Sequence, residues 1–290
     1  MAISERKQYT MKLGGKTLEL GRRPLIMGIL NVTTDSFSDG GRFADYDRAL
    51  ARAFELISAG ADILDVGGES TRPGSDPVPL AVEIERVTPI IRAVRESSDI
   101  AISIDTTKSA VALQALSAGA DIINDISSLQ FDPGMVRVVA ESGAPLILMH
   151  MLGTPRTMQI NPVYESVISE IIEFLEERMR FAARNGVERN QIIIDPGIGF
   201  GKTVAHNLHI IRNLDTFSCM DRPILLAVSR KRFIGSVIGR TEGEREVGTA
   251  IANAFGIAAG AHILRVHDVA FHNEAIRMAE AVRNGYAPQN

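Results

Sequence analysis

The chain has 290 residues, of which 45% are hydrophobic and 23% are charged, and its formal net charge is -4. This length suits one α/β barrel, which typically needs about 250 residues. The acidic balance and the scattered Lys and Arg argue against a nucleic-acid-binding protein, and the one cysteine, Cys219, excludes a disulfide or a cysteine metal site within the chain.

The first element predicted along the chain is a small β-hairpin. Apolar and polar residues alternate over residues 9–20 around Gly14 and Gly15, which is typical of two short strands joined by a tight turn. Eight short apolar runs follow and predict strands, at residues 25–30, 63–66, 100–104, 122–123, 145–149, 192–194, 224–228 and 263–266.

Longer stretches with helical periodicity lie between these runs. They cover residues 46–59, 80–97, 109–118, 135–142, 164–185 and 244–259, with a weaker one around 205–214 and a last one at 269–283. Strict alternation of strand and helix predicts parallel strands with right-handed crossovers.

A short phrase repeats where the helices meet the strands. Residues 58–63 and residues 117–122 both read SAGADI, and residues 259–263 are a variant. A glycine in the left-handed conformation ends a helix, and a strand begins at once. The repeats predict a (β/α)8 TIM barrel with a short N-terminal hairpin, as one domain over residues 1–290. A doubly wound open sheet is the alternative, because periodicity alone cannot show that a sheet closes.

Polar residues cluster just after the predicted strands. They are Asn31, residues 67–74, Asp105, Asn124, His150, residues 195–197, residues 229–231, Arg265 and His267. In a barrel these positions share the C-terminal rim, which carries the active site. Caps and turns at strand ends are the alternative explanation, but they account poorly for Arg265 inside an apolar run.

Two carboxylates and an amide stand out on this rim, at Asp105, Asn124 and Asp195. They suit a ring with an amino-pyrimidinone edge, because a carboxylate accepts two N–H bonds and an amide both donates and accepts. Each residue also has a purely structural interpretation. Asp105 could cap a helix, Asn124 could be a buried turn amide, and Asp195 could open a turn.

Positive charge on the same rim predicts anionic substrates. It comes from Arg72, Lys231, Arg265 and His267, although a solvated surface position is the commoner fate of a basic residue. The six histidines form no His-x-x-x-His pair, which argues against a tightly held transition metal. Mg²⁺ that bridges substrate phosphates with few protein ligands stays compatible.

Residues 196–203, PGIGFGKT, nearly match the phosphate-binding loop G-x-x-x-x-G-K-[ST]. Pro196 stands where the first glycine belongs, and the helical pattern that follows is weak. We therefore favour a glycine loop whose backbone approaches a flat ligand over a nucleoside triphosphate site.

Several long motifs resemble the dihydropteroate synthase family. In chain order they are MGILNVTTDSFSDGG at 27–41, ADILDVGGESTRPGS at 61–75, SIDTTK at 103–108, NDI at 124–126, IDPGIGFGK at 194–202, SRK at 229–231 and RVHD at 265–268. The resemblance runs from Gly28 to Val269. It implies that 6-hydroxymethyl-7,8-dihydropterin pyrophosphate and p-aminobenzoate give 7,8-dihydropteroate and pyrophosphate, with Mg²⁺, in an enzyme that is usually a homodimer.

The resemblance also implies roles for the matched residues. The pterin would be held by Asp65, Asp105, Asn124, Met149, Asp195, Phe200 and Lys231. Pyrophosphate would be held by Asn31, Arg72, Arg265 and His267, with Asn31 as the Mg²⁺ ligand. p-Aminobenzoate would be framed by Phe37, Thr71, Pro73 and Ser229. Catalysis would depend on Arg72, Lys231, Arg265, His267 and Asp35.

The implied mechanism is a dissociative substitution, in which pyrophosphate leaves the pterin methylene before the arylamine attacks. One departure from the family is Thr34, which stands where proline is usual. Without the fixed proline φ, the first loop is expected to be more flexible.

Two rival functions share the pterin site. A methyltetrahydrofolate-binding methyltransferase domain would not need residues 70–74 or 229–231, and the anion-binding residues argue against a non-catalytic pterin-binding protein. Residues 1–8 are charged and no apolar run has the length of a membrane span, so we expect a cytoplasmic protein. Residues 269–283 could offer an apolar face to a second subunit, or simply cover the barrel.

Overall fold

The computed structural model describes residues 4–32, 41–72 and 74–285, and of residues 41–44 the backbone alone. The chain begins with the predicted hairpin, in which β1 (Tyr9–Leu13) pairs antiparallel with β2 (Lys16–Leu20). The buried side of the hairpin packs against the first residues of the barrel strands. It therefore covers the N-terminal end of the barrel, opposite the predicted active-site rim.

Eight parallel strands follow in the described part of the chain. They are β3 (Leu25–Asn31), β4 (Ile63–Gly67), β5 (Ala101–Asp105), β6 (Ile122–Asp125), β7 (Leu146–Met149), β8 (Ile192–Asp195), β9 (Leu225–Leu226) and β10 (Ile263–Val266). Their order in the sheet is β8-β7-β6-β5-β4-β3-β10-β9.

The two outer strands of this order meet and close the sheet. Ile194 of β8 forms a parallel bridge with Ile224, the residue before β9, and the Ile194 amide donates to Pro223 O at 2.9 Å. The sheet is therefore a barrel, and the open doubly wound alternative is excluded.

Helices surround the barrel. They are α1 (Gly41–Ser58), α2 (Leu80–Ser97), α3 (Ser109–Ala118), α4 (Met135–Ser142), α5 (Val167–Arg184), α6 (Val204–Arg212), α7 (Arg232–Ile238), α8 (Glu246–Ala258) and α9 (Val269–Asn284). The bounds of α2, α3 and α4 are those predicted from periodicity. No helix in the described ranges combines the length and the apolar character that crossing a membrane requires.

The repeated phrase is a hydrogen-bonded joint between helix and strand. Gly60, Gly119 and Gly260 all have positive φ, from 92° to 113°. Two residues later, Asp62 Oδ2 accepts from the Ile26 amide at 2.8 Å. Asp121 Oδ2 does the same for the Ile102 amide at 2.9 Å, and His262 Nδ1 for the Ile224 amide at 3.1 Å. The aspartate and its histidine variant thus satisfy an amide at the start of the neighbouring strand.

Around β9 one predicted strand was too long and one helix was missed. The predicted strand 224–228 has ladder pairs at Leu225–Leu226 and an isolated bridge at Ile224, while Ala227 and Val228 are buried outside the ladder. An apolar run in a sequence indicates that its residues are buried, but it does not show that they pair with a neighbouring strand. Helix α7 was not predicted, because its seven residues contain a glycine and are too few to show a helical period.

Candidate active site

The C-terminal rim carries a row of aligned residues on four neighbouring strands. In the strand register Asn31 faces Gly67, Gly67 faces Asp105, and Asp105 faces Asn124. A Cβ placed on Gly67 would lie 3.8 Å from both Asn31 Oδ1 and Asp105 Oδ2. The glycine therefore keeps the space between these two polar groups open.

The ion pairs of Arg265 explain why an arginine lies inside an apolar strand. Its Nε donates to Asp65 Oδ2 and its Nη2 to Asp105 Oδ2, both at 2.6 Å. Asn124 Nδ2 donates to the same Asp65 oxygen at 3.3 Å. Burial by itself would lower the pKa of Arg265, but the two carboxylates raise it above its ordinary value. The partly exposed Arg265 guanidinium thus forms ion pairs with two buried carboxyl groups, which reduces the cost of burying them.

One of the two carboxylate oxygens of Asp105 is available to a ligand. Its Oδ1 is buried and has no hydrogen-bond partner, which is rare for a carboxylate and marks an acceptor awaiting a donor. Burial raises the pKa of Asp105 to about 7, against the opposing effect of Arg265. Asp105 lies in β5, and the N-cap residue of α3 is Lys108. Asp105 is therefore not a helix cap.

The glycine loop after β8 presents a second acid with a lysine beside it. Asp195 is 4% exposed and its Oδ1 accepts from the Gly197 amide at 2.7 Å. Lys231 Nζ donates to Ile198 O and lies 4.7 Å from the centre of the Phe200 ring. Burial raises the pKa of Asp195, with Lys231 opposing. Burial lowers the pKa of Lys231 to about 8, with Asp195 opposing.

An apolar wall borders these groups. It is a small cluster separate from the main core, formed by Ile126, Met149, Met151 and Met158 with Phe200 packed against it. Flexible methionines and one aromatic ring suit the face of a flat ligand. The predicted ring contacts Met149 and Phe200 therefore lie together, next to Lys231.

The adjoining part of the rim, after β9 and β10, holds a serine and a histidine in direct contact. Ser229 Oγ is 2.9 Å from His267 Nδ1 and accepts from the His267 amide at 3.1 Å. Burial, followed by the charge of Arg265, lowers the pKa of His267 to about 3. This lowered pKa favours the neutral imidazole near pH 7, so His267 is expected to act as a hydrogen-bond donor more than as a positive charge.

The second loop of the rim carries Thr71 and Arg72. Thr71 lines a cleft of about 550 Å³ that also reaches Asp105 and Ile126. Arg72 is mostly exposed, and its Nη2 donates to Glu242 Oε1 at 2.7 Å. Arg72 therefore stands at the outer edge of the site, apart from Arg265.

Some predicted positions cannot be placed. Asp35 and Phe37 of the first loop, Thr34, and Pro73 of the second loop lie outside the described residues.

Sequence reasoning missed two polar clusters that support the rim. Lys108 Nζ donates to Glu69, Glu83 and Val78 O, and so ties the second loop to the end of β5. Glu69 and Lys108 both lie within the motifs that resemble the family, and this position in the motifs could have indicated that they support the site.

The second missed cluster involves Lys202, from the near match to a phosphate-binding loop. Lys202 is 3% exposed, donates to Phe200 O at 3.0 Å and lies 2.9 Å from His150 Nδ1. Burial lowers the pKa of Lys202 well below its ordinary value. Lys202 therefore anchors the glycine loop and does not point at a phosphate.

The residues that the structure describes contain no group of three or more His, Cys, Asp or Glu side chains suited to hold a metal. The hard oxygen donor on the open row is Asn31 Oδ1. A divalent cation there would take most of its ligands from a substrate and from water, as Mg²⁺ commonly does.

Comparison with known proteins gives a consistent result. A family model described as pterin binding enzyme matches residues 27–267. The dihydropteroate synthase of Synechocystis sp. is 45% identical over 92% of this chain and 93% of its own length. The Escherichia coli K12 enzyme of that name is 42% identical over 92% of this chain and 94% of its own.

Solved structures similar to this chain belong to the same family. Yersinia pestis dihydropteroate synthase in a sulfonamide drug complex has a TM-score of 0.89 at 40% identity, covering 96% of this chain and 100% of that one. The Xanthomonas albilineans enzyme in complex with 7,8-dihydropteroate has a TM-score of 0.86 at 37% identity, covering 95% and 99%.

Proposed function

The chain belongs to the dihydropteroate synthase family, and from that premise we propose that it joins 6-hydroxymethyl-7,8-dihydropterin pyrophosphate to p-aminobenzoate. The products are 7,8-dihydropteroate and pyrophosphate. The observation that carries this proposal is the free, buried Oδ1 of Asp105 beside Asn124, on the rim above Arg265. That arrangement offers acceptors to a pterin edge and positive charge to an anion.

The pterin lies across the rim between the two buried acids. Asp105 Oδ1 and Asn124 take one part of its hydrogen-bonding edge, and Asp195 takes another. Met149 and Phe200 pack on the ring face, and Asp65 supports the pocket from below through Arg265 and Asn124. Lys231 neutralises Asp195 and donates to the ring.

The pyrophosphate lies towards the other rim residues. Asn31 Oδ1 would hold Mg²⁺, which when bound supplies a positive charge that neutralises phosphate oxygens. Arg72 binds the outer phosphate after its contact with Glu242 breaks. Arg265 sets the positive potential at the inner side, and neutral His267 donates a hydrogen bond.

The chemical step is a dissociative substitution at the pterin methylene. The C–O bond to pyrophosphate breaks with its electron pair on the leaving oxygen, and the electron-rich ring stabilises the methylene cation. The p-aminobenzoate nitrogen then forms the new C–N bond and loses a proton. Arg72, Arg265 and His267 stabilise the departing charge, and Asp105 and Asp195 favour the cationic ring. Asp35, from the first loop, is proposed to approach that cation.

p-Aminobenzoate occupies the outer layer of the site. Ser229 follows β9 and Thr71 follows β4, and Phe37 and Pro73 are proposed to complete its surroundings. The two hydroxyls suit the carboxylate of this substrate.

We also propose a homodimer formed through α8 and α9. Residues Val247, Ile251 and Phe255 of α8 are 50–63% exposed and recur every four residues, and Met278 and Val282 of α9 are 67% and 70% exposed. Exposed apolar residues on two helices that pack against each other form an apolar stripe that suits a second copy of the chain. The cytoplasmic location and the single-domain organisation stay predictions.

The decisive test is a coupled assay for pyrophosphate release, with the pterin pyrophosphate and Mg²⁺ present and p-aminobenzoate added or left out. Release that depends on p-aminobenzoate and yields dihydropteroate is expected. Tight binding of a methylated folate without release would instead support the methyltransferase function, and pterin binding without any turnover would support a binding protein.

A further inference from the structure

The loop after β9 places Arg230 between two proposed ligand residues, Ser229 and Lys231. Arg230 has φ +56°, a left-handed conformation that non-glycine residues rarely adopt. The backbone of the middle residue sets the directions of the side chains before and after it. The unusual conformation of Arg230 therefore points Ser229 at His267 and Lys231 at the Phe200 ring.

The start of α8 holds Arg230 through three contacts. Thr249 Oγ1 accepts from the Arg230 amide at 3.2 Å. Arg245 Nη1 donates to Arg230 O at 2.8 Å, and Arg230 Nε donates to Glu246 Oε1. Both backbone polar groups and the side chain of the strained residue are thus engaged by one turn of helix.

Glu246 is itself braced from α9. His272 is fully buried, and its Nε2 lies 2.9 Å from Glu246 Oε2. Burial lowers the pKa of His272, so the ring is neutral and donates its Nε2–H. Glu246 thus uses one carboxylate oxygen for each neighbour, Oε1 for Arg230 and Oε2 for His272.

We propose that Glu246 and Thr249 are positioning residues for the synthase reaction, which act by holding Arg230 in the left-handed conformation. This inference rests on the proposed function. Neither residue contacts the row of polar groups on the rim. They decide how large a fraction of the molecules has Ser229 and Lys231 correctly placed.

The sharpest test compares Arg230→Ala with Arg230→Gly. Both variants lose the contact with Glu246, but only glycine adopts positive φ freely. Substrates bind only the molecules whose loop is correctly placed, so the apparent affinity falls with that fraction. Arg230→Ala is expected to raise KM for both substrates about tenfold, with kcat at saturation within about twofold. Arg230→Gly is expected to bring both KM values back to within about threefold of the parent.

A second series tests α8 directly. Thr249→Val and Glu246→Gln are expected to raise the KM values for both substrates. Thr249→Ser, which keeps the hydroxyl group, is expected to have KM values close to those of the parent protein. Glu244→Gln is the matched control, because Glu244 is half-exposed and pairs with Arg240 at 3.5 Å rather than with the loop. Unchanged KM in Thr249→Val, or a lower kcat with unchanged KM, would overturn the proposal, since a loss of folded protein lowers only kcat.

The parent protein separates failure of this proposal from failure of the proposed function. If the parent shows no p-aminobenzoate-dependent release of pyrophosphate, the synthase function fails. The positioning role is then decided by fluorescence titration with 6-hydroxymethylpterin. Weaker binding to Arg230→Ala than to Arg230→Gly supports it, and equal binding to both overturns it.

Discussion

Arg265 is the residue that links the two buried carboxyl groups of the rim. Its guanidinium joins Asp65 and Asp105, which are 0% and 7% exposed. A buried ion pair adds little over an apolar replacement, but the loss of one partner leaves a buried charge uncompensated. The two ion pairs therefore do not by themselves account for an arginine at this position, and the proposed anion-binding role gives it a second reason.

Arg265→Ala is expected to lower the free energy of unfolding by about 3–5 kcal/mol near neutral pH. The deficit should shrink at pH 5, because burial raises the pKa of Asp105 and this carboxyl is protonated in the folded protein as the pH falls. Urea titrations at both pH values measure this. Arg137→Ala, which breaks an exposed pair with Glu141, should lose under about 1 kcal/mol. Unaltered turnover in Arg265→Ala would contradict the proposed catalytic role.

The pH dependence of kcat/KM for the pterin substrate follows from two buried groups. Burial raises the pKa of Asp105 to about 7, so the accepting carboxylate is gained as the pH rises through that value. Burial lowers the pKa of Lys231 to about 8, so its charge is lost above it. We expect a bell-shaped profile with limbs near these values. Lys231→Arg should remove the alkaline limb, and a flat profile from pH 6 to 9 would speak against both assignments.

Among the elements, the glycine loop after β8 is set by close backbone contact. Gly197 has φ +70°, and a Cβ added to it would lie 1.8 Å from His150 O. Gly143 has nearly the same φ, +69°, but nothing within 4 Å of an added Cβ. The two positions separate the effect of the conformation from the effect of the contact.

Gly143→Ala is therefore expected to lose about 1 kcal/mol of unfolding free energy, with normal activity. Gly197→Ala should lose at least twice as much and should raise KM for the pterin, because the loop that carries Phe200 must move away from His150. Denaturant unfolding and steady-state kinetics test both variants. Equal losses of unfolding free energy and equal KM values in the two variants would mean that the loop tolerates the contact between the added Cβ and His150 O.

The joint between helix and strand was the most predictable element. Gly60 and Gly119 were identified from the repeat, and both have the positive φ that the prediction required. The function of Asp62 and Asp121 was not predicted. Their partners are amides on a neighbouring strand 36 and 19 residues earlier in the chain, so the pairing exists only after the barrel has formed.

For the whole molecule, the apolar stripe on α8 and α9 makes a prediction about assembly. Ile251→Glu is expected to convert the proposed dimer to a monomer, because it places a charge in the middle of the stripe. Light scattering behind a sizing column measures the mass. Leu113→Glu on α3, at a position that is 52% exposed like Ile251 at 56%, is the control and should leave the mass unchanged. A parent protein that is already monomeric would contradict the proposal.

From the sequence alone, most of the strands and helices and the polar end of the strands could be predicted, but helix α7 and the bounds of β9 could not. Periodicity and glycine position are local properties, and the long motifs around Asp105, Asp195 and Arg265 identified the family. The three-dimensional arrangement was needed to show that Ile194 meets Ile224 and closes the barrel, that Arg265 joins two carboxylates, and that burial lowers the pKa of His267. Closure, pairing and desolvation depend on distances between residues far apart in the chain, which no local pattern records.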